Sequence, residues 1–326
     1  MKKDKLLAIG EALIDFAPKQ IGVPLKDVSE FKKVVGGAPA NVCGAFSKLG
    51  GCSRMITQLG KDPFGDCIVE ELEGYGIDTS LILRTAKANT ALAFVSLKAD
   101  GGRDFSFYRK PSADMLFEPE DIQEEWFEDA WALHFCSVDL IPSPMQMAHR
   151  RALDIGAQKG CLISFDPNVR LPLWEDHQQL RRIIREFMPK AHILKISDEE
   201  LEFITGFNTV DQARDLLFTG CTEMVIFTRG SEGAQCYTKN HMAYVPSRKV
   251  KAVDTTGAGD GFIVSFLYQL FEAGIGKADL PNLTPDDMKK YLTYSNRFCA
   301  YSVMGTGAIA SYPTKEALTE SMEADQ

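Results

Sequence analysis

The chain has 326 residues, 45% of them hydrophobic, enough to bury a sizeable core as one large α/β domain or two smaller ones. Its 36 basic and 45 acidic side chains leave a net charge of −9 with no Lys/Arg block, which argues against a nucleic-acid or anionic-membrane surface; any bound polyanion must be met locally. No run is long and apolar enough to span a membrane, and the eight cysteines form no C-x-x-C pair, as suits reduced thiols in a cytoplasm.

Met1-Lys2-Lys3 looks like the basic start of a signal peptide, but the apolar run at 6–9 is too short and Glu11 and Asp15 soon follow. Short apolar, β-rich runs recur at 6–9, 55–59, 132–135, 162–165, 193–196 and 224–228. Helical patterns lie between most of them. One spans 40–49, with Pro39 near its start and Gly50 after it; another spans 145–158, with Ser143-Pro144 as cap and first turn and Gly160 as stop. Strands alternating with helices predict an α/β fold with a mostly parallel sheet and right-handed crossovers.

Two segments break the rhythm. Residues 90–97 and 104–108, joined across Asp100-Gly101-Gly102, read as a hairpin, and 233–238 with 242–245, joined at Lys239-Asn240, read as another. The first alternates too strongly to be core. Together with the polar 18–33 stretch it predicts a small β lid, from about 17–34 and 89–112, inserted within a single domain covering 1–326. Such a lid is also a face through which two copies could pair as a homodimer.

Several chemistries lack their motifs. There is no G-x-x-x-x-G-K-[ST], no G-x-S-x-G, and no metal-ligand spacing among the five histidines. Gly305-Thr306-Gly307-Ala308-Ile309-Ala310 formally fits a dinucleotide pattern but lies too late in the chain to open a βαβ unit.

The most informative run is Asp254-Thr255-Thr256-Gly257-Ala258-Gly259-Asp260, followed at once by an apolar-periodic stretch. Glycines on either side of an alanine let the backbone turn sharply, and the helix beginning there would aim unpaired N–H groups and its positive end at an anion, usually phosphate. Asp260 could take a proton from a hydroxyl beside that phosphate, or could be an ordinary helix cap. Gly36-Gly37-Ala38-Pro39-Ala40-Asn41 is a second glycine turn into a helix, either a tight connection or a place where the Asn41 amide meets a polyol. Asp15 falls just past the first strand, at the sheet edge where ligands bind, where a loop or capping residue is equally at home. Asp166-Pro167-Asn168-x-Arg170 follows another strand, as a Pro turn with a solvated arginine or as a cation and amide near phosphate. In Lys195-Ile196-Ser197-Asp198-Glu199-Glu200 the acids suit the first turn of a helix, and Glu200 could hold Mg²⁺ through water. The turn from Thr228 through Gly230 to Gly233 could touch nucleotide phosphates. These turns follow successive strands on the one edge where a two-substrate site would form.

The run at 254–260, with 36–41 and Gly60-x-Asp62-x-x-Gly65, resembles the paired motifs of the ribokinase-like (PfkB) sugar kinase family, over about residues 5–316. The strings at 90–97, 105–116, 165–174 and 193–200 are similar to fructokinases in particular. The resemblance implies a ribokinase-like fold and ATP as donor, with Asp260 as base and the amides of Gly257, Ala258 and Gly259 as an anion hole. It places Asp15, Gly36, Gly37 and Asn41 on sugar hydroxyls, Arg109 reaching the sugar from the lid, and Arg170 on the transferring phosphoryl. Lys195, Thr228, Gly230, Gly233 and Asn296 would lie near the nucleotide. A monovalent-cation site, for K⁺, would draw on Asp254, Thr256, Ser302, Gly305, Gly307 and Ser311. Ser197 stands where many members carry Asn, and Val264 and Ser265 replace smaller residues after the base, so helix packing there is expected to be looser. The expected reaction is phosphorylation of D-fructose at its primary hydroxyl to fructose 6-phosphate. A 2-dehydro-3-deoxygluconate kinase is the nearest enzyme alternative, and a non-catalytic sugar- or nucleotide-binding protein the alternative of another class.

Overall fold

A computed structural model describes residues 2–20, 22–97 and 103–324. Strand β1 (Lys5–Ile9) is followed by β2 (Leu13–Pro18), β3 (Phe31–Gly36), helix α1 (Ala38–Lys48), β4 (Cys52–Gly60), α2 (Pro63–Gly74), β5 (Ile82–Thr85), β6 (Leu92–Leu97) and β7 (Arg103–Tyr108). The chain then alternates through β8 (Ala130–Cys136), α3 (Pro144–Gln158), β9 (Leu162–Asp166), α4 (His177–Phe187), β10 (Ile193–Ser197), α5 (Asp198–Thr205), α6 (Val210–Leu217) and β11 (Met224–Thr228). The hairpin β12 (Ala234–Thr238) and β13 (Met242–Val245) precedes α7 (Ala258–Glu272), α8 (Pro285–Ser302), α9 (Ala308–Ser311) and α10 (Lys315–Glu323).

Nine strands form one sheet in the order β13-β12-β11-β10-β9-β8-β1-β4-β5, parallel from β11 to β5 and antiparallel where β12 pairs with β11 and with β13 at one edge. The parallel strands read as unbroken apolar runs because helices cover both faces. In β1, Leu6 and Ala8 join the core under α1, α7 and α8, while Leu7 and Ile9 join the one under α3 to α6. This is the expected mostly parallel α/β architecture.

The second sheet has four strands in the order β3-β2-β6-β7. Here the sequence reading needs correcting at its edges. The stretch expected as a polar companion from residue 17 is already a strand from Leu13, so Asp15 lies in β2, paired with Val34 and Ala93, rather than in a loop after β1. The strand is set by its pairing with β3 on one side and β6 on the other rather than by any period-2 pattern in 13–18. The turn expected at Asp100-Gly101-Gly102 lies outside the described residues. Phe16 stacks on Phe94 at 4.7 Å and meets Phe64 of α2 edge-on at 5.8 Å, an apolar seat for this sheet on the larger body. Asp62 completes the seam: Oδ1 caps α2 by accepting from the N–H groups of Phe64 and Gly65, and Oδ2 accepts from the Thr90 N–H at the entry to β6. That is a structural job for the Gly60-x-Asp62-x-x-Gly65 element.

Among the described residues no helix is long and apolar enough to cross a membrane. All eight cysteines are free thiols.

Under α3 and α4, Phe135 lies fully buried and stacks on Phe165 with centroids 4.4 Å apart. Phe135→Ala would remove that stack and leave a cavity, at a cost of about 3–5 kcal/mol. Urea unfolding checks it, and a loss under about 1 kcal/mol would show a core able to collapse into the space.

Candidate active site

Helix α7 starts where it does because Gly257 takes φ 74, a left-handed conformation in which a Cβ would also come within 2.6 Å of the Ala308 Cβ. Gly257 is the N-cap and offers no side chain to the helix. Asp260 is therefore not the cap. It is 6% exposed, and its carboxylate faces side chains from two other elements: Asn41 Nδ2 donates to Oδ2 at 2.8 Å and Asn168 Nδ2 to Oδ1 at 2.9 Å. Burial raises the Asp260 pKa above its ordinary value, while the Asn41 hydrogen bond and the charges of Arg170 and Lys195 act to lower it. Of the three turn amides named from sequence, Ala258 N–H donates to the Thr255 carbonyl at 3.2 Å and is partly spent. The N–H groups of residues 259 and 260 lie in the first helical turn, which has no carbonyl one turn back to take them.

Asn41 reaches Asp260 from the first turn of α1. That helix begins at a second strained glycine, Gly37 at φ 109, which supplies no capping side chain. Glu11, two residues past β1, does so from a distance: Oε1 accepts from the Ala38 N–H at 2.9 Å. Asn41 Oδ1 is buried without a hydrogen-bond partner and can still accept. Gly36 has no room for a side chain, since a Cβ there would press on the Asp15 carboxylate, so Asp15 and Gly36 are neighbours across β2 and β3.

Asn168, offered from sequence as part of a Pro turn or as an amide near phosphate, instead donates to the Asp260 carboxylate. It holds φ 46, the one described non-glycine residue with positive φ, a conformation asparagine tolerates better than most. A Pro-Asn pair straight after an apolar strand is the signal that could have flagged it.

Next to these groups Lys195, 5% exposed, lies 3.0 Å from Asp166 Oδ2. Burial would lower the Lys195 pKa, but Asp166 and Glu200 hold it above the ordinary lysine value; burial pushes Asp166 up to about 7. A Cβ on Gly259 would sit 3.1 Å from Lys195 Nζ, so α7 and β10 meet at the glycine turn. Glu200 forms a reciprocal capping box with Ser197, and its Oε1 also accepts from the Val169 N–H at 2.9 Å. Burial opposes its charge, yet Lys195 and those backbone N–H groups hold its pKa below normal. Serine at 197 thus caps α5 as well as asparagine would. Arg170 is exposed at the same edge. Among the described residues no group of three or more His, Cys, Asp or Glu is arranged to hold a metal ion directly.

Further along the edge Thr228 ends β11, and Gly230 at φ 48 has open space where a side chain would be. Gly233 has a packing reason instead, since a Cβ would come 2.7 Å from Pro246 Cα. The Asn296 amide donates to the carbonyls of Val245 and Pro246 at 3.1 and 3.2 Å and borders a cavity of about 280 Å³. Behind α7, Asp254 Oδ1 accepts from the Thr256 N–H and hydroxyl, and Oδ2 accepts from the Gly307 N–H at 2.9 Å. Gly305 lies close to Ser302 and Ser311: a Cβ on it would come 2.9 Å from Ser311 Cβ and 3.5 Å from the Ser302 carbonyl oxygen. Val264 and Ser265 are fully buried, and the Ser265 hydroxyl donates to the Phe262 carbonyl at 3.0 Å, so neither loosens the helix as expected.

Arg109 departs most from expectation. It was expected to reach out to the sugar from the lid, but it is 5% exposed, with Nη2 donating to both Asp114 and Asp139. Burial alone would lower its pKa, yet Asp114, Asp139 and Glu11 hold it above the ordinary value. Burial raises the Glu11 pKa from its ordinary 4.5 to about 7, against the pull of Arg109, and raises Asp139 in the same way. The guanidinium lies inward because three buried acids need a cation. Its Nε and Nη1 are buried without partners, so it retains donors to offer.

Arg109→Ala would strand those acids, at a cost of about 3–5 kcal/mol at neutral pH. An acid whose folded pKa is raised favours the folded state below its unfolded pKa, and that contribution is lost as pH rises through the folded value. Without Arg109 the folded values climb further. The variant's deficit against wild type should therefore grow as pH rises from about 5 to about 8. Melting curves at the two pH values check this, and a deficit that is flat or larger at low pH would contradict the arrangement.

The pattern of the pfkB family of carbohydrate kinases matches residues 3–315. The chain is 40% identical over 314 residues to probable fructokinase-2 of Arabidopsis thaliana, covering 96% of this chain and 94% of that protein. It is 38% identical to fructokinase-1 of Oryza sativa subsp. japonica, covering 99% and 98% of the two chains. Among solved structures, it superposes on a fructokinase with bound ATP from Xylella fastidiosa with a TM-score of 0.91, 30% identity and 99% of each chain covered. A fructokinase from Vibrio cholerae with fructose, ADP and calcium bound superposes with a TM-score of 0.84, at 28% identity and with 98% of each chain covered. The chain belongs to the pfkB family of carbohydrate kinases, an ATP-dependent sugar kinase with the ribokinase-like fold.

Proposed function

We propose that the protein is a fructokinase, transferring the γ-phosphoryl of ATP to the primary hydroxyl of D-fructose to give fructose 6-phosphate. The observation that carries this reading is the buried Asp260 carboxylate, held by Asn41 and Asn168 at the start of α7. Relatives and neighbours named as fructokinases, one holding fructose and ADP, point to the acceptor.

The two amides leave each Asp260 oxygen one lone-pair direction for a sugar hydroxyl. As the hydroxyl oxygen bonds to the γ-phosphorus its proton passes to Asp260, and the bond from that phosphorus to the β–γ bridging oxygen breaks to release ADP. The first-turn N–H groups of α7 would meet the equatorial oxygens as they gather charge, with Gly257 and Gly259 letting the backbone come close. Asp15, Gly36, Gly37 and Asn41 would hold the sugar, with Arg109 beneath them through its spare donors. Arg170 would approach the phosphoryl from solvent. Lys195, Thr228, Gly230 and Asn296 would border the nucleotide, and Gly233 would shape that turn. The acidic edge at Glu200 suits Mg²⁺ held through water, which when bound would neutralise phosphate charge. Asp254, Thr256, Ser302, Gly305, Gly307 and Ser311 converge closely enough to suit K⁺, and one neighbouring fructokinase has potassium bound.

An acceptor panel tests the substrate. D-Fructose should show the highest kcat/KM among fructose, ribose, tagatose, glucose and 2-dehydro-3-deoxygluconate, with K⁺ raising the rate over a large organic cation. A higher value for 2-dehydro-3-deoxygluconate would reassign the acceptor, and indifference to K⁺ would remove the cation site.

Asp260→Asn tests the base. It keeps the shape and loses the proton acceptor, so kcat should drop at least about a hundredfold. The fold should lose no more than one of two hydrogen bonds, about 1 kcal/mol. Because burial raises the Asp260 pKa, wild-type kcat should fall on acidification at a pH above the ordinary value of 3.8, and the variant should lack that limb. Near-normal turnover in the variant would refute the assignment.

A further inference from the structure

Lys48, the last residue of α1, is a half-buried cation with no carboxylate partner among the described residues. Its ammonium instead donates to three backbone carbonyls: Ile309 at 2.9 Å, Ala310 at 3.2 Å and Tyr312 at 2.6 Å. The Tyr75 ring lies 5.8 Å from it. Three donors meet three acceptors, so the group is satisfied without an anion. The cost of desolvating it is visible in a lowered lysine pKa. A solvated lysine at a helix end needs none of this.

What the three carbonyls hold matters more than the lysine. They belong to the turn that delivers Tyr312, which is buried and donates its hydroxyl to the Gly257 carbonyl at 2.7 Å. The same stretch places Ala308 against Gly257, and Ile309 against Gly44 in the middle of α1. Helix α1 is thus fastened at both ends to the start of α7. Its first turn reaches Asp260 through Asn41, and its last residue reaches Gly257 through the 309–312 turn and Tyr312.

We propose that Lys48 is a positioning residue for phosphoryl transfer, holding the Gly257 turn of α7 in place through the 309–312 carbonyls and Tyr312. The inference rests on the reading of that turn as the phosphate-facing one. Lys48 itself touches neither sugar nor phosphate.

The test pairs kinetics with backbone amide exchange on the full-length protein. Lys48→Met removes the three donors while keeping much of the apolar stem. If Lys48 acts as proposed, kcat falls at least about tenfold while KM for fructose and for ATP stay within about threefold, because the lost interaction matters in the transition state. Amide exchange at 258–261 speeds up as well as at 309–312. Tyr312→Phe gives a similar loss, and the double variant is no worse than either single one, since both act along one connection. Lys48→Arg, which can still donate to the carbonyls, recovers most of the rate. Should Lys48→Met not fold, Lys48→Gln, with two donors left, is read the same way. Unchanged exchange at 258–261, or additive effects of Lys48→Met and Tyr312→Phe, would overturn the proposal. Exchange does not require turnover, so a turn that loosens in Lys48→Met beside an Asp260→Asn variant of normal activity would sink the base assignment and leave the tether standing.

Discussion

A carboxylate taken out of water is tolerated only when hydrogen bonds replace the hydration it loses, and at Asp260 those bonds come from two distant parts of the chain. Asn41 arrives on α1 and Asn168 on the turn after β9, each donating to one oxygen. The carboxylate is thereby aimed, kept competent to ionise, and left with a raised pKa. Three elements must be in register for this, which makes the packing of α1 and α7 onto the parallel sheet a condition of the chemistry. The strained glycines at 37 and 257 serve that condition: each lets a helix begin in a space that a side chain would have filled.

Around this centre, charges are buried in matched groups. Lys195 answers Asp166 and Glu200 beneath the glycine turn, and Arg109 answers Asp114, Asp139 and Glu11 where the small sheet meets the large one. The second group joins residues from the segments that follow β1, β7 and β8. Because removing one partner from such a group costs far more than the group contributes as a whole, it acts as a joint that resists partial opening. Glu11 extends the joint to α1 by accepting from the Ala38 N–H. The small sheet, the first turn of α1 and the large sheet are in this way held by one set of buried charges.

The strand runs and the major helices were legible because parallel strands covered on both faces must be apolar throughout, and helix ends announce themselves through Pro, Ser and Gly. The run at 254–260 was legible for a related reason: glycines at that spacing suit a sharp turn into a helix, which is where α7 begins. What could not be read was the partner of each polar side chain. Asn41 looked free for a polyol and turned out to share itself with Asp260; Arg109 was expected on the sugar and is enclosed by acids; Asn168 was offered to a turn or a phosphate and holds Asp260. Asp15 was placed just past the first strand and lies within a second one, β2, which residues 13–18 do not announce by alternation.

The sequence by itself determined the class of fold, the family, and the places along the chain where chemistry could reside, since these follow from local constraints of hydrophobic period, backbone freedom and helix ends. Only the tertiary structure decided which of two readings each polar residue takes. Whether Asp260 is a cap or a buried, amide-held carboxylate, and whether Arg109 faces water or acid, depends on groups tens to hundreds of positions away that chain folding alone brings within hydrogen-bonding distance.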